Sequence, residues 1–166
     1  MTKRVGFYQE FSDQVDPSAS ASASVSIPSL RDAVRAAGER DEDRIVACLE
    51  SSTEIYSVMG AERDVIAGDT WIPGAGSLVT DGTWLWPAEL AHYVRRHHVA
   101  LPADFAASIR DNGYVSPPLP QERAREIFDE YLLAAATGTS SSGRRARTRP
   151  GVRRRTNACR ATRGRS

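Results

Sequence analysis

The chain contains a single lysine, Lys3, against 21 arginines, and only two cysteines, Cys48 and Cys159. With no Cys-x-x-Cys and no Cys/His spacing, a disulfide framework and a thiolate zinc site are both excluded, and free thiols are expected. No apolar run approaches the roughly 18 residues that a membrane-spanning helix needs. The N-terminal stretch MTKRVGFYQEFSDQ meets Glu10 and Asp13 before any apolar core of a signal peptide could form, so no export signal and a cytoplasmic location are expected. Absent as well are a Gly-x-Ser-x-Gly elbow, a Cys-His signature and a phosphate-binding loop ending in Lys-Ser or Lys-Thr, so catalysis has no positive support. The scarcity of lysine beside abundant arginine and alanine reads as the coding bias of a high-GC bacterium.

What is present suits one soluble domain. The 166 residues suffice for one real core but not for two ordinary domains, and the 40% hydrophobic and 26% charged shares are those of a globular protein. Charge is unevenly divided. Residues 1–143 carry 12 Lys+Arg against 21 Asp+Glu, a difference of −9, whereas residues 144–166 carry 10 Arg and no acid. Ser18 to Ser26, SASASASVS, has nothing to bury and reads as a linker. The expected organisation is an N-terminal segment over 1–17, a flexible linker over 18–28, a single α+β domain over 29–136 and a disordered basic tail over 137–166.

Periodicity predicts the elements. Pro28 and Ser29 open a helix that Gly38 stops, with Ser29 and Asp32 in capping-box spacing. A second helix runs from Glu42 to about Ser51, with Asp41, Glu42 and Asp43 at its positive end and Ile45, Cys48 and Leu49 as its apolar stripe. From Glu54 to Trp86, short runs rich in Ile, Val, Tyr, Thr and Trp, broken by Gly68-Asp69, Pro73-Gly74 and Asp81-Gly82, predict strands. A two-residue turn at Asp81-Gly82 would pair Thr80 with Thr83 and Val79 with Trp84, placing Trp84, Trp86 and Val79 on one face and Leu78 and Leu85 on the other. A similar turn at Gly68-Asp69 would set Ile66 opposite Trp71. Three helices follow, starting at Pro87, at Pro102 and near Gln121. The fold class is α+β, a small antiparallel β-meander packed by about five helices.

No residues form a constellation that chemistry requires at a fixed spacing. His92, His97 and His98 could ligate metal, but ligand pairs on a helix sit three or four apart, and five or six residues turn the rings about 140° or 120° away from each other. Packing and helix capping explain them, and neither metal nor cofactor is expected. At least two of Trp71, Trp84 and Trp86 should be core, with Trp84 the one that a hairpin could expose. Gly74-Ala75-Gly76-Ser77 reads as a turn between strands. Asp81 and Glu89 read as a turn residue and a helix cap instead of paired carboxylates. A helix face bearing Glu89, His92, Arg95 and Arg96 is the candidate partner-binding face. In the tail, Arg144, Arg145, Arg147, Arg149, Arg153, Arg154 and Arg155 are candidate nucleic-acid contacts, because guanidiniums without neighbouring acids attract polyanions through counterion release.

The block SLVTDGTWLWPAELAHYVRRHHVALPADF resembles a set of small actinobacterial proteins sharing the pattern DG-x-W-x-W-P-x-x-L-x-x-Y-V followed by LP-x-x-F. The resemblance extends from about Phe7 to Phe128, leaves out the Arg-rich tail, and makes SASASASVS an insertion into a shorter turn. No activity or catalytic residue comes with it. The expected function is therefore that of a small macromolecule-binding protein without catalytic activity, an accessory, regulatory or immunity-type factor whose partner is a protein and not a membrane. The alternatives are a nucleic-acid-associated protein anchored by its tail and an enzyme with an unrecognised site.

Overall fold

The computed structural model describes residues 2–12 and 27–138. Of the expected linker over 18–28, residues 18–26 lie outside the described residues, as do the arginines of the tail. In chain order the elements are β1 (Lys3–Arg4), α1 (Gln9–Ser12), α2 (Glu42–Ser51), β2 (Thr53–Tyr56), β3 (Ala61–Arg63), β4 (Trp71–Pro73), β5 (Leu78–Thr80), β6 (Trp84–Pro87), α3 (Leu90–His97), α4 (Ala103–Asp111) and α5 (Gln121–Gly138), with a 3₁₀ turn at Arg31–Ala33. The strands form a four-stranded sheet in the order β1-β6-β5-β2 and a separate hairpin of β3 and β4. Every pairing is antiparallel except that of β1 with β6. The protein is α+β, as the sequence predicts. Among the described residues no helix is long and apolar enough to cross a membrane.

Alternation along β5 and β6 sends side chains to two separate cores. Val79, Trp84 and Trp86 pack with residues of α2, α3 and α4, whereas Leu78 and Leu85 pack under Ile127 of α5. Both faces of the sheet are therefore covered, and the predicted division of these five residues holds. The predicted register does not. Thr80 pairs with Leu85 and Val79 with Trp86, two residues further along than a two-residue turn allows. The cause is the side chain of Asp81, whose Oδ1 accepts the N–H groups of Thr83 and Trp84 at 2.8 and 2.7 Å and widens the turn, while Thr80 Oγ1 donates to the Trp84 carbonyl. Because the shift is an even number, the faces survive it.

The second predicted turn also differs. Arg63 faces Trp71, and Ile66 belongs to the connecting loop because Asp64 ends β3 and its N–H donates to the Thr70 carbonyl. The helix expected from Ser29 to Gly38 reduces to the 3₁₀ turn. The Ser29 hydroxyl donates to Glu10 instead of capping, Val34 is extended, and the segment is tied to the end of α3 through Ala100 N–H to Ala33 O and Arg35 Nε to His98 O. These long-range hydrogen bonds outweigh the weak propensity of a short isolated helix. Pro87 closes β6 opposite Leu78, and α3 begins three residues later at Leu90. Glu42–Ser51, the start after Pro102, the stop at Gly113 and the last helix near Gln121 are as predicted. The N-terminal segment joins the body, since Val5 and Tyr8 are buried in the larger core and β1 forms a sheet edge.

Candidate functional site

Asp64 leaves the end of β3 with its side chain fully buried. Its Oδ1 accepts the backbone N–H groups of Ile66 and Ala67 at 2.8 and 3.0 Å, which folds the loop 64–70 around the carboxylate. Its Oδ2 is contacted by His92 Nε2 at 2.9 Å and by His97 Nε2 at 2.7 Å. Burial alone would raise the carboxyl's pKa, but the hydrogen bonds from the two imidazoles and two amides outweigh it and hold Asp64 well below the usual carboxylate range.

His92 and His97 thus share one site despite their helical spacing. A rotation of about 140° separates their Cβ atoms, yet Asp64 enters between the rings from another element and both tips reach it, with ring centroids 6.3 Å apart. Tyr93 supports them, meeting His92 edge-on and stacking on His97, while its hydroxyl accepts the Val65 N–H. Burial pushes that hydroxyl's pKa up to about 12. His98 does not join the set; it takes a left-handed conformation at the end of α3 and its Nδ1 lies 2.6 Å from Glu42 Oε1. Among the described residues, Asp64, His92 and His97 are the group whose ligand atoms converge, all within 4.8 Å of one another.

The candidate partner-binding face is divided by the structure. Glu89 does not belong to an exposed face, since it is buried and its Oε2 accepts the Gly76 N–H at 2.9 Å. His92 is turned toward Asp64. Arg95 is exposed but forked onto Glu50, and Arg96 donates from Nη2 to both oxygens of Asp69 and from Nη1 to the Thr70 hydroxyl. The glycine turn is confirmed as a turn between strands, with Gly74 and Gly76 at positive φ, and its Gly76 N–H serves this chain's own carboxylate. Asp81 likewise serves its turn.

Two tryptophans, Trp84 and Trp86, are core as expected, but the exposed one is Trp71, at 59%, beneath the Arg63 guanidinium. Along β4 only Ile72 is buried, and the flanking Trp71 and Pro73 side chains are exposed. Trp71 and fully exposed Met59 belong to the segment 58–76, which also forms one wall of a groove of about 440 Å³. Tyr56, Ile72, Tyr93, Phe128 and Leu132 line it, with Glu62, Arg63 and Glu89 as its charged groups. Burial, reinforced by the charge of Glu62, raises the pKa of Glu89 despite the Gly76 hydrogen bond. Neither the groove nor Asp64 was legible as a site in the sequence, because both draw residues from segments far apart in the chain. No protein-family model, curated protein or solved structure matches this chain.

Proposed function

We propose that the chain is a protein-binding module without catalytic activity, an accessory or regulatory factor that seats a short segment of its partner in the groove between the β3–β4 hairpin and α5. The groove itself carries this reading, because it combines aromatic walls with acidic groups. An occupant of matching chemistry is an extended peptide with one bulky apolar side chain in the groove and a lysine or arginine beside it. The cation would meet Glu62, the exposed carboxylate of the groove, and the net negative charge of residues 1–143 favours its approach. Aromatic side chains suit such anchoring, since they offer much contact area at little entropy cost.

Selection from a random peptide library on the full chain tests this. Peptides with a basic residue next to Trp, Phe or Leu should be enriched, and Leu132→Arg, which puts a cation into the groove at a half-exposed helix position, should weaken them at least tenfold. Enriched peptides that bind the Leu132→Arg variant equally well would refute the groove. Enrichment of acidic sequences would instead indicate the basic tail, and with it a nucleic-acid role.

A further inference from the structure

We propose that Asp64, His92 and His97 form a binding site for a divalent first-row transition ion of the zinc type. Two imidazole nitrogens and one carboxylate oxygen are the donor set such ions take, and three protein ligands leave a fourth position for water. The donor atoms come from two elements, α3 and the end of β3, and meet at a single carboxylate oxygen. The second oxygen is occupied by two backbone N–H groups, the kind of support that orients a metal-ligating carboxylate.

The two imidazole–carboxylate separations need little change, while the two Nε2 atoms, within 4.8 Å of each other, must stand about 3.4 Å apart around the ion. Around a tetrahedral zinc with bonds near 2.0 to 2.1 Å, ligand atoms stand roughly 3.4 Å apart, against 2.7 and 2.9 Å between each Nε2 and Asp64 Oδ2. The rings must therefore withdraw by about half an ångström, and both side chains have partly exposed edges through which an ion can enter. Without metal each ring donates its Nε2–H to the carboxylate. With metal Nε2 must be free of its proton, and each neutral ring carries its proton on Nδ1. The nearest cation, Arg96, has its Nε 3.9 Å from Asp64 Oδ2, but its guanidinium is paired with Asp69. Cys48 is buried outside this cluster, and His98 is held by Glu42, so neither competes for the same ion.

Calorimetric titration of the metal-free full chain with Zn²⁺, paired with thermal melts, decides the matter. The expected result is one saturable equivalent that raises Tm. Affinity should fall at least tenfold in His92→Ala and His97→Ala and stay unchanged in His98→Ala and Cys159→Ala. If either alanine variant fails to fold, His92→Gln and His97→Gln replace it, because the glutamine amide can still donate to Asp64 but offers no ligand nitrogen. Absence of saturable binding up to millimolar zinc, or binding that survives both histidine substitutions, overturns the proposal.

Discussion

At the residue scale, two of the three tryptophans, Trp84 and Trp86, are packed against the Phe105 ring in the larger core. Trp86 is 1% exposed, lies with its ring 5.3 Å from that of Phe105, and its buried indole N–H finds no partner among the described residues. Trp86→Ala should cost about 3 to 5 kcal/mol in equilibrium denaturation, as large core truncations do. A loss below about 1 kcal/mol would contradict the packing. Gly6 is the second test. Its φ is +73° and an added Cβ would stand 2.7 Å from the Cδ2 of fully buried Leu90, so Gly6→Ala should destabilise measurably, whereas Gly113→Ala, which meets only backbone strain and no neighbour, should cost less. The burial of Trp84 and Trp86 was legible from β alternation and aromatic size. The exposure of Trp71 was not, since it follows from the surface position of the hairpin, which no local pattern records.

At the element scale, sequence signals succeeded where a helix's own residues decide its limits. Glu42–Ser51 combines acids at the first turn with a continuous apolar stripe, and Asn112-Gly113 ends α4 with a residue free to take positive φ. They failed where another segment supplies the hydrogen bonds. Glu10 takes the Ser29 hydroxyl and the Leu30 N–H, and so stops at one turn a stretch whose capping box predicts a helix. In the β5–β6 turn the Asp81 side chain replaces the tight turn that an Asp-Gly pair suggests. Asp81→Ala removes the acceptor of two turn amides and should cost about 1 kcal/mol. Asp81→Asn, which keeps an oxygen for them, should cost less. Equal losses in the two variants would mean that the side chain does not hold the turn.

At the scale of the whole molecule, α3 fastens the β3–β4 hairpin to the body. Asp64 meets His92 and His97, Val65 N–H meets Tyr93, Arg96 meets Asp69 and Thr70, and Arg31 reaches the Val65 carbonyl. The sequence hid this because the carboxylate and its imidazoles are about thirty residues apart, and because helical spacing judges only what a helix can do unaided. Two carboxylates then make opposite contributions to acid stability. Asp64 has a lowered folded pKa, so its contribution is present above the ordinary aspartate range and is lost as pH falls through the folded value. Glu89 has a raised one, so its contribution is greatest in acid and is lost as pH rises through the folded value. In Asp64→Asn the fall of Tm on acidification from neutrality should be shallower than in the parent protein. In Glu89→Gln it should be steeper.

The most direct measurement is the tautomeric state of the imidazoles in the metal-free protein, read from long-range ¹H–¹⁵N NMR correlations near pH 8. An ionised Asp64 carboxylate can only accept, so His92 and His97 should both be Nε2–H tautomers, whereas His98, with Nδ1 on Glu42, should be the Nδ1–H form. Asp64→Asn should then shift the ring signals of His92 and His97 together and leave His98 in place. An Nδ1–H tautomer at His92 or His97, or ring signals there that ignore the Asp64 substitution, would contradict the convergence on which the account of this site rests.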